Sequence, residues 1–179
     1  MYLAYDVTKQ LQKGRNALGV LLGNGFYDAL NLNIPLSHFG EKCLRLQLQL
    51  TYTDGTTQTV CTDGTWQTKP SAITYNSVHG GEIYNANLET PQWATTRDNS
   101  EGWQNVKTIE GPKAEMSAHT APTDRIVETM KPISLTRRED GAWVVDFGKE
   151  ISGWIHFRDL KGTKGDTLKV DYVSESVQG

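Results

Sequence analysis

The chain has 179 residues, a mass of 19.9 kDa and a formal net charge of -3. That length suits one large domain or two small ones, and it can bury a core without help from disulfides or metal. A mean hydropathy of -0.51 argues against a membrane span, and the absence of a basic excess argues against a nucleic-acid partner.

With 17 glycines, 5 tryptophans and almost no helical periodicity, the sequence reads as a turn-rich β protein. Residues 17–22 form a short apolar run closed by Gly23-Asn24-Gly25, which predicts a buried strand and a turn. Residues 43–52 give the clearest element. Leu44, Leu46, Leu48, Leu50 and Tyr52 alternate with Arg45, Gln47, Gln49 and Thr51, so one face is apolar and the other polar. Asp54-Gly55 turns the chain into a second strand over 56–61. Asp63-Gly64 predicts another turn before Trp66, and 73–75 a short strand. Residues 78–102 look irregular, polar and aromatic, the kind of loop where binding residues concentrate. Residues 111–122 read as a linker. Beyond it, 133–136, 142–147, 153–159 and 167–173 predict four short strands, with turns at Glu139-Asp140-Gly141 and Gly162-Thr163-Lys164-Gly165.

If the first hairpin pairs Tyr52 with Thr56, Cys61 faces Gln47 and Cys43 lies about 13 Å further along. A disulfide needs Cα atoms within about 7 Å, so two free, buried thiols are expected. No basic start and apolar run resembling a signal peptide opens the chain, so it is either cytoplasmic or part of a longer protein.

Paired carboxylates could hydrolyse a glycoside, and Asp63, Glu82, Glu89, Asp98, Asp146 and Glu150 are the candidates. Their natural role in a β scaffold is in solvated turns and loops. His38, His79, His119 and His156 show no metal-ligand spacing, and Ser152 lacks the glycines of a nucleophile elbow. The tryptophans offer flat faces for sugar rings. Trp143 and Trp154, on strands, are expected in the core, whereas Trp93 lies in the irregular loop. The polar companions of Trp93 are Glu82, Tyr84, Asn85 and Asn87, whose oxygens suit hydroxyl groups or a hard cation such as calcium. These five form the candidate carbohydrate site.

Several motifs in order resemble the N-terminal region of bacterial α-L-rhamnosidases, glycoside hydrolase family 78. They are Tyr5-Asp6-Val7-Thr8, Gly14-Arg15-Asn16-Ala17-Leu18-Gly19-Val20, Leu22-Gly23-Asn24-Gly25-Phe26-Tyr27, Tyr52-Thr53-Asp54-Gly55, Thr62-Asp63-Gly64-Thr65-Trp66 and Gly81-Glu82-Ile83-Tyr84-Asn85-Ala86-Asn87. Val145-Asp146-Phe147-Gly148, Ser152-Gly153-Trp154 and the Lys161-to-Asp166 turn extend the likeness into a second domain. The family pattern Tyr-Asp-Ala-Arg is replaced by Tyr84-Asn85-Ala86-Asn87, and Gly-Gln-Asn by Gly148-Lys149-Glu150.

The resemblance implies an all-β chain. A jelly-roll β-sandwich of galactose-binding type over 1–115, lacking its first strands, would precede part of a second β-sandwich over 116–179. It implies a fragment without catalytic residues, the catalytic (α/α)6 barrel of the parent chain lying beyond it, and a periplasmic or extracellular parent. It further implies a non-catalytic accessory role with a rhamnose-containing glycan as ligand and calcium as a candidate ion. The alternative is a structural or interaction module without sugar binding.

Overall fold

The computed structural model describes residues 1–29, 38–97, 101–111 and 113–173. The chain divides into two units, Met1–His119 and Thr120–Gly179. Both are all-β among the described residues, with 3-10 turns at Thr8–Gln10 and Ala86–Leu88 and no α-helix. No helix there is long and apolar enough to cross a membrane.

The first unit holds three antiparallel ribbons of two strands each. β1 (Gln47–Thr51) pairs with β2 (Thr57–Cys61), in the register Gln47 to Cys61 and Thr51 to Thr57. Tyr52 donates its N–H to the Thr56 carbonyl at 2.8 Å, so the pairing expected from the Asp54-Gly55 turn is the one found. The predicted alternation holds too: Leu44, Leu46, Leu48 and Leu50 are half-buried and the residues between them exposed. β3 (Gln67–Thr68) follows the Asp63 turn and pairs with the distant β6 (Gln104–Asn105). β4 (Ile73–Ser77) pairs with β5 (Gly81–Tyr84), with a bulge between Ile73 and Tyr75. Tyr2 bridges Ala118, tying the two ends of this unit together.

The second unit contains one ribbon, β7 (Ser134–Arg137) with β8 (Trp143–Asp146). Its hairpin closes through Arg138 N–H to the Ala142 carbonyl at 2.8 Å, around a Gly141 with φ of 87°. The turn at residues 162–165 also forms, with the Asp166 N–H on the Thr163 carbonyl at 3.0 Å.

Several sequence expectations are corrected. Residues 17–22, 153–159 and 167–173 are not strands, because among the described residues no segment pairs with their backbones. Conversely, Gly81–Tyr84, read as part of an irregular loop, is a strand made by its pairing with β4. Trp143 and Trp154 are 58% and 69% exposed rather than buried. The guanidinium of Arg137 lies over the Trp143 ring, 5.9 Å from its centre. Cys43 and Cys61 are free thiols but exposed: Cys61 faces Gln47, on the polar side of the ribbon.

Burial is sparse. Among the described residues only Ala29, Ala72 and Ser77 are buried. The accessible surface is 16674 Å², against roughly 8,700 Å² for a folded monomer of this mass. The ribbons are held by their own ladders, and several of the corners beside them share one device. Asp54 Oδ1 accepts the Thr56 N–H at 2.9 Å and the Thr56 hydroxyl at 2.7 Å. Asp63 does the same with Thr65, at 2.8 and 2.5 Å. Asp140 accepts from Ala142 N–H at 3.0 Å, and Asp146 from Gly148 N–H at 2.7 Å. Such turns trade a free carboxylate for a fixed corner.

The threonine hydroxyl, then the threonine amide, holds the Asp54 and Asp63 carboxyls below their ordinary pKa. A lowered folded-state pKa means that protonation is harder in the turn than in the unfolded chain. The stabilisation is complete above the ordinary carboxylate pKa and is lost as pH falls through the lower folded value. Amide-exchange protection at Thr56 and Thr65 should hold above the ordinary carboxylate pKa and be lost as pH falls through the lower value of the folded turn. Asp54→Asn should keep the turn but flatten that pH dependence at Thr56. Asp54→Ala should remove the protection at every pH. An unchanged Thr56 amide in the alanine variant would show that the turn does not rest on this bond.

Candidate functional site

The sequence-predicted residues sit on β5 and the two turns after it. Glu82 and Tyr84 are two apart on β5 and so share a face. Both are exposed, and the Tyr84 hydroxyl donates to the Glu89 carboxylate. That contact fixes the phenol against the end of the following 3-10 turn. Asn85 caps this turn: its Oδ1 accepts the Asn87 N–H at 3.1 Å and the Asn87 Nδ2 at 3.0 Å. Asn85 N–H in turn donates to the Ala72 carbonyl at 2.8 Å, anchoring the cap beside β4.

The inventory of these two amides is informative. The oxygen of Asn85 is fully used, while its Nδ2 and the Oδ1 of Asn87 have no other partner among the described residues. The pair therefore leaves a donor group and an acceptor without partners among the described residues.

Trp93 lies in the next turn, where its N–H reaches the Thr90 carbonyl at 3.3 Å. The turn is tight enough to put Gln92 at a φ of 64°, in the left-handed region. Trp93 is 38% exposed. It packs on Gly19 and makes no hydrogen bond to the asparagine pair.

Sequence reasoning missed the groove beside these residues. It measures about 580 Å³ and is lined by Lys69, Glu89, Pro91, Gln92, Arg97 and Glu101. Lys69 Nζ donates to the Glu101 carbonyl at 3.0 Å, joining positions that no local pattern connects. The approach of Gly19 to Trp93 was also missed, although a glycine inside an apolar run is a signal of close backbone approach.

Three of the candidate carboxylates are engaged locally. Asp63 and Asp146 are spent on turns, and Glu89 is bound by Tyr84. The lowered pKa of Asp63 runs opposite to what a general acid needs. Asp98 lies outside the described residues. Among the described residues no three His, Cys, Asp or Glu side chains gather into a metal-binding group. Calcium takes six to eight oxygens, and the occupied Asn85 oxygen leaves this donor set short of that.

Asn85→Ala should release the cap and raise the exchange rate of the Asn87 amide about fivefold. Asn85→Asp should leave it protected, because the carboxylate accepts the same bond. Equal exchange in the alanine variant would remove Asn85 from the design of this turn.

Residues 1–128 match the family model described as the alpha-L-rhamnosidase N-terminal domain. Residues 136–178 match the bacterial alpha-L-rhamnosidase concanavalin-like domain. An alpha-L-rhamnosidase of Formosa agariphila is 35% identical over 94% of the chain, and one of Streptomyces avermitilis is 28% identical over 96%. The chain spans 18% and 17% of those two proteins. The solved structure of alpha-L-rhamnosidase from Dictyoglumus thermophilum aligns with a TM-score of 0.54 at 31% identity, covering 59% of this chain and 12% of that one. The all-β architecture and the two consecutive domain matches place this chain in the bacterial α-L-rhamnosidase family.

Proposed function

We propose that this chain is a non-catalytic accessory region of a longer α-L-rhamnosidase and that it holds a terminal rhamnose unit. The observation that carries the reading is that Asn85 Nδ2 and Asn87 Oδ1 have no partner among the described residues while one cap holds both side chains. One donor and one acceptor fixed by the same cap match neighbouring hydroxyls, each of which can accept one bond and donate another. Trp93 and Tyr84 add partly exposed aromatic surface on the same stretch of chain. Glu82 supplies a further acceptor on the β5 face.

Hydrolysis belongs, on this reading, to a catalytic barrel elsewhere in the parent protein. Such a barrel would supply one carboxyl to protonate the leaving oxygen and another to activate water. The exposed apolar side chains of the second unit, Leu135, Val144, Trp154 and Leu168 among them, are the surface that would pack against the rest of that protein. The domain limits proposed are 1–115 and 116–179.

A calorimetric titration of the chain with L-rhamnose should give saturable heat. Asn87→Ala should weaken binding about tenfold, since one charge-free hydrogen bond and its geometry are lost. The chain alone should release no aglycone from an aryl α-L-rhamnoside. Absence of heat at high sugar concentration would leave the structural role alone standing. Turnover by the chain would overturn the assignment as non-catalytic.

A further inference from the structure

Gly19 lies under Trp93. A methyl group built on its Cα would collide with Cζ3 of the indole, lie 3.0 Å from Cε3 and lie 2.9 Å from the Cβ of Ala94. The benzo side of Trp93 thus rests on the Gly19 backbone, although the two residues are distant in sequence. Gly19 is not among the glycines with positive φ. Its backbone conformation is open to any residue, so what the position requires is the missing side chain rather than glycine's freedom.

The geometry points to Gly19 as the positioning residue of Trp93. It sets how far the indole stands from the chain and which part of the ring stays open. With the benzo side seated and 38% of the residue still exposed, the open part of the ring forms a platform of fixed height. Such a platform suits the apolar C–H face and the methyl group of a 6-deoxy sugar. The sugar half of this inference rests on the accessory reading above; the seat itself does not.

The two halves separate in one experiment on the 179-residue chain. Labelling with 5-fluorotryptophan gives one fluorine resonance for each of the 5 tryptophans, and Trp93→Phe identifies the one from Trp93. Gly19→Ala should move that resonance by several linewidths and leave those of Trp66, Trp103, Trp143 and Trp154 in place. It should also weaken L-rhamnose binding about fivefold by tilting the platform. A Trp93 resonance unchanged in Gly19→Ala would overturn the seat. A shifted resonance without any rhamnose response in the parent chain would keep the seat and overturn its sugar role. Should Gly19→Ala not fold, the double variant Gly19→Ala/Trp93→Ala decides the matter. Recovered folding there supports the contact, and continued failure overturns it.

Discussion

The fold depends on a single short hydrogen bond used repeatedly: an aspartate oxygen receiving the backbone N–H two residues on. Asp54, Asp63, Asp140 and Asp146 each make it beside a strand. The β4–β5 corner uses a relative of it, with Ser77 Oγ accepting the Gly80 N–H at 3.1 Å. These bonds are local, so each corner can form before distant parts of the chain meet. Two-stranded ribbons alone are marginal in water, and corners of this kind lower the entropy lost on closing them. Aspartate suits the task because its side chain is short and its charge strengthens the bond to a backbone donor.

The same economy explains what was legible in the sequence. The period-two pattern around Leu48 and the Asp54-Gly55 turn together specified the β1–β2 register down to the pairing of Cys61 with Gln47. Residues 153–159 and 167–173 carry equally good strand patterns and are not strands. The difference lies outside the segments, since a strand exists only where another backbone accepts its hydrogen bonds. Gly81–Tyr84 shows the converse. Its Gly-Gly opening argues for a loop, but β4 supplies a partner and the ribbon forms. The exposed cysteines were readable from parity, because Cys43 shares the phase of Arg45 and Gln47. Cysteine's usual burial outweighed that phase in the expectation.

The candidate site divides along the same line. The Asn85–Asn87 cap is a neighbour interaction between two residues that the sequence singles out. The groove between Lys69 and Glu101 and the seat of Trp93 on Gly19 join remote segments. No periodicity encodes such contacts, and only a lone glycine in an apolar run hints at one of them. The residues that chemistry singled out therefore hold their places partly through residues that chemistry had no reason to notice.

The polar-face position of the two thiols has a further consequence for covalent chemistry. Cys61 sits at the end of β2 opposite Gln47, and Cys43 lies beyond the end of β1 on the same side. The two thiols are free and not joined to each other. Each can still exchange with a disulfide that diffuses to it, its thiolate bonding to one sulfur while the other sulfur leaves as a thiolate. A small disulfide would thus cap either thiol and release its other half as a thiol, a reaction directed to solvent on the polar face of the ribbon.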